Sequence, residues 1–143
     1  MIRVVIDTNV FVSAVMGGLS RPILDGWRTG QFIFVLSDRI ACEYLNVLKR
    51  PKFGLPDSVV EPIVAFLFKK GEFVTPTEKL NVIQDDPKDN MFLEAAVAGS
   101  VNWIVSGDKR HLLPLKTFRE IPIISTREFL DWLDRIKRPF LTP

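Results

Sequence analysis

The chain contains very few of the residues that disulfide, redox or zinc chemistry requires. Its 143 residues include one cysteine, Cys42, and one histidine, His111. A single cysteine excludes an internal disulfide framework and suits a reducing compartment, so we expect a cytoplasmic protein. Zinc usually recruits several His or Cys ligands, and these two residues lie in separate segments. His111 is therefore expected at the surface or in contact with a phosphate.

Long hydrophobic runs are also missing. No segment approaches a membrane span, which needs about 18 apolar residues in a row. Arg3 and Asp7 interrupt the first apolar stretch and no small-residue cleavage site follows it, so we expect neither a signal peptide nor a membrane partner. The charges nearly balance, with 19 Lys and Arg against 17 Asp and Glu. Net charge therefore favours an anionic partner only weakly.

Short strand-like segments alternate with helical patterns along the chain. The strand-like segments are residues 3–6, 32–36, 72–74, 103–106 and 121–124. This alternation predicts an α/β fold in which right-handed crossovers place helices on both faces of a mostly parallel sheet. No internal repeat or linker interrupts the pattern, so we predict one domain over residues 1–143.

Capping residues, prolines and glycines set the expected helix boundaries. The predicted helices are about residues 9–17, 21–27, 38–50, 57–70, 88–99, 110–113 and 129–137. Ser20 and Ser37 are the expected N-caps of the second and third helices, and Ser125 with Glu128 forms a capping box before the last. The tail 138–143, which contains two prolines, is expected to fray or to dock on a neighbouring segment.

Two aspartates follow predicted strands directly. Asp7 ends the β-branched run 2–6, and Asp108 lies just beyond the segment 104–106. The carboxyl ends of parallel strands lie at the same edge of a sheet, where ligands bind in open α/β folds. We therefore expect both carboxylates to share one pocket at this edge.

Glu43 and Asp89 are further candidates, each with an ordinary structural explanation. Glu43 borders the apolar face of the third predicted helix, where it either meets a partner in the core or reaches solvent. Asp89 lies in the first turn of a predicted helix, where an acid also serves as a cap or complements the helix dipole. Asp85 and Asp86 compete for any role given to Asp89, although the spacing favours Asp89.

Four carboxylates at one edge of a sheet need cations. At about 5 Å and an effective dielectric constant near 20, each pair repels by roughly 3 kcal/mol. Oxygen ligands select hard ions, so this set of residues indicates Mg²⁺ or Mn²⁺ rather than zinc. The sequence offers no plausible Ser–His or Cys–His pair as a protein nucleophile, which suits attack by a metal-activated water.

Taken in order, these segments resemble the PIN-domain ribonuclease family, and within it the VapC-type toxin components of toxin–antitoxin pairs. The resembling segments are Val4–Val10 with Ser13, Ser37–Leu48 with Glu43, Arg50–Lys52, Asp86–Ala96, Ile104–Asp108 with Leu112 and Leu113, and Phe129–Leu130. An isolated Asp-Thr-Asn would be weak support. The ordered set, which extends to about residue 133, is far more specific.

The resemblance implies a three-layer α/β/α sandwich with a central, mostly parallel five-stranded sheet, and divalent-metal-dependent endonucleolytic cleavage of RNA. Carried over by position, Asp7, Glu43, Asp89 and Asp108 match the family's acidic quartet. Asp7 and Asp108 would be the primary metal ligands, and Asp89 a direct or water-mediated ligand. Glu43 would be a ligand or the base that orients water.

Three polar residues match the positions beside the quartet. They are Asn9, Ser13 and Ser106. Asn9 and Ser106 would hydrogen-bond to the ligands or to phosphate oxygens, although Asn9 also suits a helix N-cap and Ser106 a turn. Ser13, one helical turn after Asn9, is equally suited to plain packing.

Contact with RNA requires positive charge around the acidic centre, because a metal alone does not hold a polyanion. Candidate RNA-binding residues follow Asp108, end the helix that carries Glu43, or flank the same opening. They are Lys109, Arg110, Lys49, Arg50, Lys52 and Arg21. For any one of them, a solvated surface position is the competing explanation.

The resemblance also implies a cognate antitoxin as partner, and the apolar second and fourth helices predict a surface for it or for a homodimer. Phe66, Leu67 and Phe68 are consecutive and cannot all face one core. The competing function is a noncatalytic PIN-like module that binds RNA or protein. A receiver domain and a haloacid-dehalogenase-type phosphatase fit poorly, since the latter would want an Asp where Asn9 lies.

Overall fold

A computed structural model describes residues 1–137 of the protein. The strands are β1 (Arg3–Ile6), β2 (Ile33–Leu36), β3 (Glu72–Phe73), β4 (Trp103–Ser106), β5 (Thr117–Phe118) and β6 (Ile121–Ser125). The α-helices are α1 (Thr8–Met16), α2 (Arg21–Arg28), α3 (Asp38–Leu48), α4 (Asp57–Lys70), α5 (Asn90–Ala98) and α6 (Thr126–Lys137). The behaviour predicted for the tail 138–143 concerns a segment outside the described residues.

Within residues 1–137 the strands form one sheet in the order β3-β2-β1-β4-β6-β5. Its neighbours are parallel from β3 through β6, and β5 pairs with β6 in the antiparallel direction. Helices cover both faces of the sheet, and α5 packs against β1, β2 and β4 while α6 packs against β4 and β6. The predicted α/β sandwich with a mostly parallel sheet is confirmed. No helix in the described range is long and apolar enough to cross a membrane.

The prediction of five strands is one too few, because residues 1–137 contain six. The additional strand, β5, forms a tight hairpin with β6, and the turn residues Arg119 and Glu120 have φ angles of 48° and 68°. Positive φ at both turn residues is typical of a type I′ turn, whose usual sequence is Asn-Gly or Asp-Gly. An Arg-Glu pair carries no such signal, and a strand of two residues is too short to show alternation.

The central strands β1 and β4 are buried on both faces. Val4, Val5 and Ile6 are 0% exposed, and so are Ile104 and Val105. Burying each such side chain contributes about 1.5–3 kcal/mol. The carboxyl ends of these two strands are therefore a fixed platform for the residues that follow them.

Tyr44 connects α3 to the end of β1. Its ring is fully buried and stacks on Phe11, with the ring centroids 4.2 Å apart. Its hydroxyl donates a hydrogen bond to the backbone carbonyl of Ile6, the last residue of β1. Burial, together with the charge of Asp7, raises the pKa of Tyr44 well above its usual value. The helix that carries Glu43 is thereby anchored beside the residue that precedes Asp7.

The N-termini of α1 and α2 lie close to the predicted positions, but the capping contacts differ. α1 begins at Thr8, next to the predicted Asn9, and its N-cap is Asp7, whose Oδ1 accepts a 3.0 Å hydrogen bond from the backbone N–H of Val10. Ser20 precedes α2 as predicted, but its side chain does not cap that helix. A short polar side chain before a helix thus predicts the boundary better than it predicts the capping bond.

The short helix predicted at residues 110–113 is also absent. Residues 109–112 form a turn instead, and a 3₁₀ helix follows at Leu113–Leu115. Oδ1 of Asp108 accepts hydrogen bonds from the backbone N–H groups of Arg110 and His111, at 2.9 and 3.2 Å. Such local side-chain bonding competes with helix formation.

Other local predictions are confirmed. Ser37 caps α3 by accepting a hydrogen bond from the backbone N–H of Ile40. Ser125 and Glu128 form the predicted capping box through two reciprocal hydrogen bonds of 3.1 Å. The loop before α5 is present, and a 3₁₀ helix at Pro87–Asp89 leads into that helix.

The three consecutive apolar residues of α4 face in different directions, as predicted. Phe66 lies against Trp27, with ring centroids 4.5 Å apart, and Leu67 is buried. Phe68 is 63% exposed and stacks on Phe73. α4 therefore presents an apolar side chain to solvent next to the packed face.

Candidate active site

Asp7 lies at the carboxyl end of β1, next to the end of β4. The two strands pair in parallel with Ile6 opposite Val105, so the residues that follow them meet. Oδ2 of Asp7 accepts hydrogen bonds from the Ser106 hydroxyl and, at 3.2 Å, from the backbone N–H of Gly107. Burial nevertheless raises the pKa of Asp7. The carboxylate is thus held in one orientation, and a nearby cation would favour its ionised form.

Asp108 is fixed by the turn that follows β4. Its backbone N–H donates a 2.9 Å hydrogen bond to Oγ of Ser106. Burial acts to raise the pKa of Asp108, but the hydrogen bonds that its carboxylate accepts from the backbone of Arg110 and His111 outweigh this effect, and the pKa is lowered. Asp108 therefore carries a stable negative charge beside Asp7.

Asp89, Asp86 and His111 form a cluster across the same opening. Each offers one potential ligand atom, and these atoms lie within 4.8 Å of one another. Nδ1 of His111 is 3.5 Å from Oδ2 of Asp89 and 3.3 Å from Oδ2 of Asp108. Burial, then the charges of Asp86 and Asp108, raises the pKa of Asp89 to about 6. The fold therefore concentrates negative charge here and places one imidazole within it.

The sequence left open which of three neighbouring aspartates faces the site. In the structure Asp86 and Asp89 both line the cleft, whereas Asp85 is exposed and outside the lining. Asp86 immediately precedes the 3₁₀ helix whose last residue is Asp89, so one turn of this helix separates the two. They are partners in one cluster rather than alternatives.

Glu43 lines the cleft from α3. Its Oε1 lies 3.8 Å from Nζ of Lys88, and 23% of its side chain is exposed. Of the two orientations that the sequence allowed for Glu43, the structure shows the one that faces the acidic residues. Asp7, Glu43, Asp89 and Asp108, which are far apart in the chain, thus line a single cleft of about 290 Å³.

The three polar residues beside the quartet differ in position. Asn9 lines the cleft. Ser106 is fully buried beneath it, and both of its hydrogen bonds go to the aspartates on either side, so its hydroxyl is already engaged. Ser13 lies outside the lining, and its hydroxyl is 3.3 Å from that of Ser20.

Most of the basic residues predicted to contact RNA are not among those that line this cleft. Arg50 lines it. Arg21 is paired with Asp25 at 3.3 Å, and Lys52 lies over the ring of Phe53. The exposed residues outside the lining also include Lys49, Lys109 and Arg110.

Sequence reasoning gave no role to two residues of the cleft. Lys88 received none, although its position between Pro87 and Asp89 in the sequence was a usable signal, and Thr8 received none either. His111, expected at the surface or in contact with a phosphate, lines the cleft and lies partly buried beside the carboxylates of Asp89 and Asp108.

The donor set fits a divalent cation. Five carboxylates and two cations line the cleft, and the carboxylates belong to Asp7, Glu43, Asp86, Asp89 and Asp108. Thr8 also lines it, and its buried hydroxyl has no hydrogen-bond partner within the described residues. A buried polar atom usually has a partner, so a ligand in the cleft would satisfy it. Hard oxygen donors and concentrated negative charge are what Mg²⁺ or Mn²⁺ prefers.

Comparison with known proteins agrees with this arrangement. A family model described as PIN domain matches residues 3–110, which includes all four members of the acidic quartet. None of the curated proteins matches the chain. The PIN domain is generally a nuclease fold. The chain therefore belongs to the PIN domain family.

Proposed function

We propose that this protein is a divalent-metal-dependent endoribonuclease that hydrolyses phosphodiester bonds of RNA. The observation that carries the proposal is the convergence of five carboxylates, from four separate segments, in one cleft at the carboxyl edge of the sheet. Burial, and to a smaller extent the neighbouring carboxylates, raises the pKa values of Asp7 and Asp89. Perturbed pKa values in a cleft are typical of functional sites.

Mg²⁺ or Mn²⁺ is the proposed cofactor. Asp7, Asp89 and Asp108 would hold it, and Glu43 would either join them or orient the attacking water. Asp86 is an additional ligand candidate, since it is clustered with Asp89. When bound, the ion supplies a water molecule of lowered pKa and stabilises charge on the phosphate.

The other roles in the proposed reaction belong to residues of the chain. Ser106 and Gly107 keep Asp7 in one orientation through their hydrogen bonds. Lys88, beside Glu43, would neutralise part of the charge of the substrate, and Glu43, in its water-orienting role, would accept the proton of the water.

The proposal is tested by replacing Asp7 with Asn and measuring RNA cleavage in Mg²⁺ or Mn²⁺. We expect the rate to fall by about 100-fold or more, because a ligand is replaced by a neutral amide. Asp85→Asn is the matched control, since it removes an exposed carboxylate outside the cleft and should leave the rate unchanged. Undiminished cleavage by Asp7→Asn would contradict the proposed site.

We also propose that the nuclease is the toxin of a toxin–antitoxin pair and acts in the cytoplasm, where its RNA substrate lies. This part is supported by the resemblance of the ordered segments to VapC-type toxins. Induced expression of the wild-type chain should arrest growth, and expression of Asp7→Asn should not. Growth unaffected by an active nuclease would contradict the toxin role while leaving the chemistry intact.

A cognate antitoxin or a second copy of the chain is the proposed partner for the apolar surface of α2 and α4. Its support is the exposure of Phe68 beside the packed face of α4. Light scattering of the purified chain tests the homodimer directly. A monomer across the accessible concentration range would count against self-association and leave an antitoxin as the proposed occupant.

A further inference from the structure

A second groove adjoins the acidic cleft and shares one wall residue with it. It has a volume of about 650 Å³, and its charged lining residues are Arg39, Lys79, Lys88 and Glu94. Lys88 lines both the groove and the cleft. The cleft and the groove therefore meet at Lys88.

The groove is basic where the cleft is acidic. Three cations face one carboxylate in its lining, and that carboxylate is turned inward. Only 8% of the Glu94 side chain is exposed, and its Oε2 accepts a 2.8 Å hydrogen bond from the backbone N–H of Leu80. Arg39, whose Nη1 is 3.5 Å from Oε1 of Glu94, remains 65% exposed, so most of its donors are available to a ligand.

Lys79 lies in the loop between β3 and α5, and the carboxylate that precedes it in that loop is already neutralised. Glu78, which precedes Lys79, pairs with Arg119 through contacts of 3.0 and 2.8 Å. Lys79 itself is exposed and is in none of the ion pairs of the described range. Its positive charge is thus directed to solvent and to the groove.

The loop that carries Lys79 is held in place by Asn90, which is 3% exposed. Oδ1 of Asn90 accepts hydrogen bonds from the backbone N–H groups of Val82 and Ile83, at 3.0 and 2.9 Å. Its Nδ2 donates to the backbone carbonyls of Ile83 and Pro87, at 2.9 and 2.8 Å. One side chain at the start of α5 therefore fixes the groove wall and the 3₁₀ helix that carries Lys88 together.

Helix α3 extends the positive charge on both sides of the catalytic candidate Glu43. Arg39 lies one helical turn before Glu43 on the same face of α3, and Arg50 lies two residues beyond the end of this helix. Arg50 lines the acidic cleft and Arg39 the basic groove, so cations flank Glu43 in both directions along the chain.

We propose that the sugar–phosphate backbone of the RNA strand, on one side of the scissile bond, leaves the cleft past Lys88 and lies in this groove against Arg39 and Lys79. The inference rests on the proposed ribonuclease function and assigns its substrate path. Backbone phosphates give salt-dependent affinity without sequence selection, so the groove positions the strand and the cleft cuts it.

The test measures RNA binding by the full-length chain carrying Asp7→Asn, in Mg²⁺, as a function of salt concentration. In that background we compare Arg39→Ala/Lys79→Ala with Lys69→Ala/Lys70→Ala, which removes two exposed lysines from the end of α4. For a single-stranded oligonucleotide, losing two phosphate contacts should reduce the slope of log K against log salt by about 1.4 and weaken binding roughly tenfold. The control pair should change neither quantity comparably.

Arg39→Ala also leaves the buried carboxylate of Glu94 without its ion-pair partner, so a second variant guards against misfolding. Lys79→Ala alone should reduce the slope by about 0.7 without changing the denaturation midpoint. A slope unchanged in both variants, or lowered equally by the α4 control pair, would overturn the assignment of the groove. Absence of RNA cleavage by the wild-type chain is a separate outcome, which overturns the proposed function and not the binding path.

Discussion

The hydroxyl of Ser106 donates a hydrogen bond to the carboxylate of Asp7 and so connects the carboxyl ends of the two central strands. The same hydroxyl oxygen accepts a hydrogen bond from the backbone N–H of Asp108. One fully buried serine therefore fixes the spacing of two of the four acids in the predicted quartet.

Ser106→Ala should weaken both the fold and the site. It removes a hydrogen bond to a buried carboxylate that lowers the pKa of Asp7 against the effect of burial. We expect the free energy of unfolding at neutral pH to fall by about 1–3 kcal/mol, as measured by urea denaturation. Ser58→Ala, at an exposed position in the first turn of α4, is the control and should cost much less. Equal midpoints for the two variants would show that Ser106 does not support Asp7.

In the metal-free protein, the ionisation of Asp89 should make the folded state less stable near pH 7 than near pH 4. Its pKa of about 6 in the folded state lies above the ordinary value of 3.8, so the folded state binds more protons between these limits. The contribution to stability is therefore lost as pH rises through the folded pKa.

Asp89→Asn, which cannot ionise, isolates this effect. We expect it to stabilise the chelator-treated protein by about 1–2 kcal/mol near pH 7, less than the full pKa shift would give because solvent screens a half-buried carboxylate, and to have little effect near pH 4. Asp85→Asn provides the comparison, because its carboxylate lies outside the acidic cleft. A stability difference between wild type and Asp89→Asn that does not vary with pH contradicts the proposed environment of Asp89.

Mg²⁺ or Mn²⁺ should stabilise the folded chain without any RNA present. At a free concentration about 100 times the dissociation constant, one bound ion adds about 2.7 kcal/mol, which corresponds to several degrees in the unfolding temperature of a domain of this size. Asp108→Asn should lose most of this increase. The same thermal shift in wild type and Asp108→Asn would place the ion elsewhere, and no shift in wild type would favour the noncatalytic PIN-like module.

Tyr44 should not ionise while the protein is folded. It is the single tyrosine of the chain, it is fully buried, and its hydroxyl bonds to the end of β1, so its pKa is raised well above the usual value. In an alkaline titration, we expect tyrosinate absorbance to develop together with loss of the far-ultraviolet circular dichroism signal. Tyrosinate formation that precedes unfolding would contradict the anchoring of α3 to β1.

The fold was largely predictable because its signals are local. Continuous β-branched runs predict β1 and β4, and an acid after each run predicts the shared edge. The hairpin of β5 was not predictable, since the charged residues Arg119 and Glu120 occupy a turn that usually contains Asn-Gly.

The acidic residues of the site could be predicted from the sequence, whereas most of the residues around them could not. Spacing favoured Asp89 over Asp86, but only the turn between them shows that both face the cleft. His111 reaches the carboxylates because Asp108 bonds the backbone N–H groups that follow it, and this tertiary detail has no periodic signature. In the sequence, Lys88 and Arg39 cannot be distinguished from other surface cations. Only the structure shows that both line the basic groove and that Lys88 also lines the acidic cleft.

Cleavage of a panel of RNA oligonucleotides, with and without a chelator, tests the central claim most directly. We expect internal cuts in Mg²⁺ or Mn²⁺, no cuts with chelator, and restored cutting when excess metal is added back, because the carboxylates of the cleft require a cation to act on a phosphodiester. Cleavage that persists in chelator, or the absence of cleavage of any RNA in either metal, would contradict a metal-dependent ribonuclease.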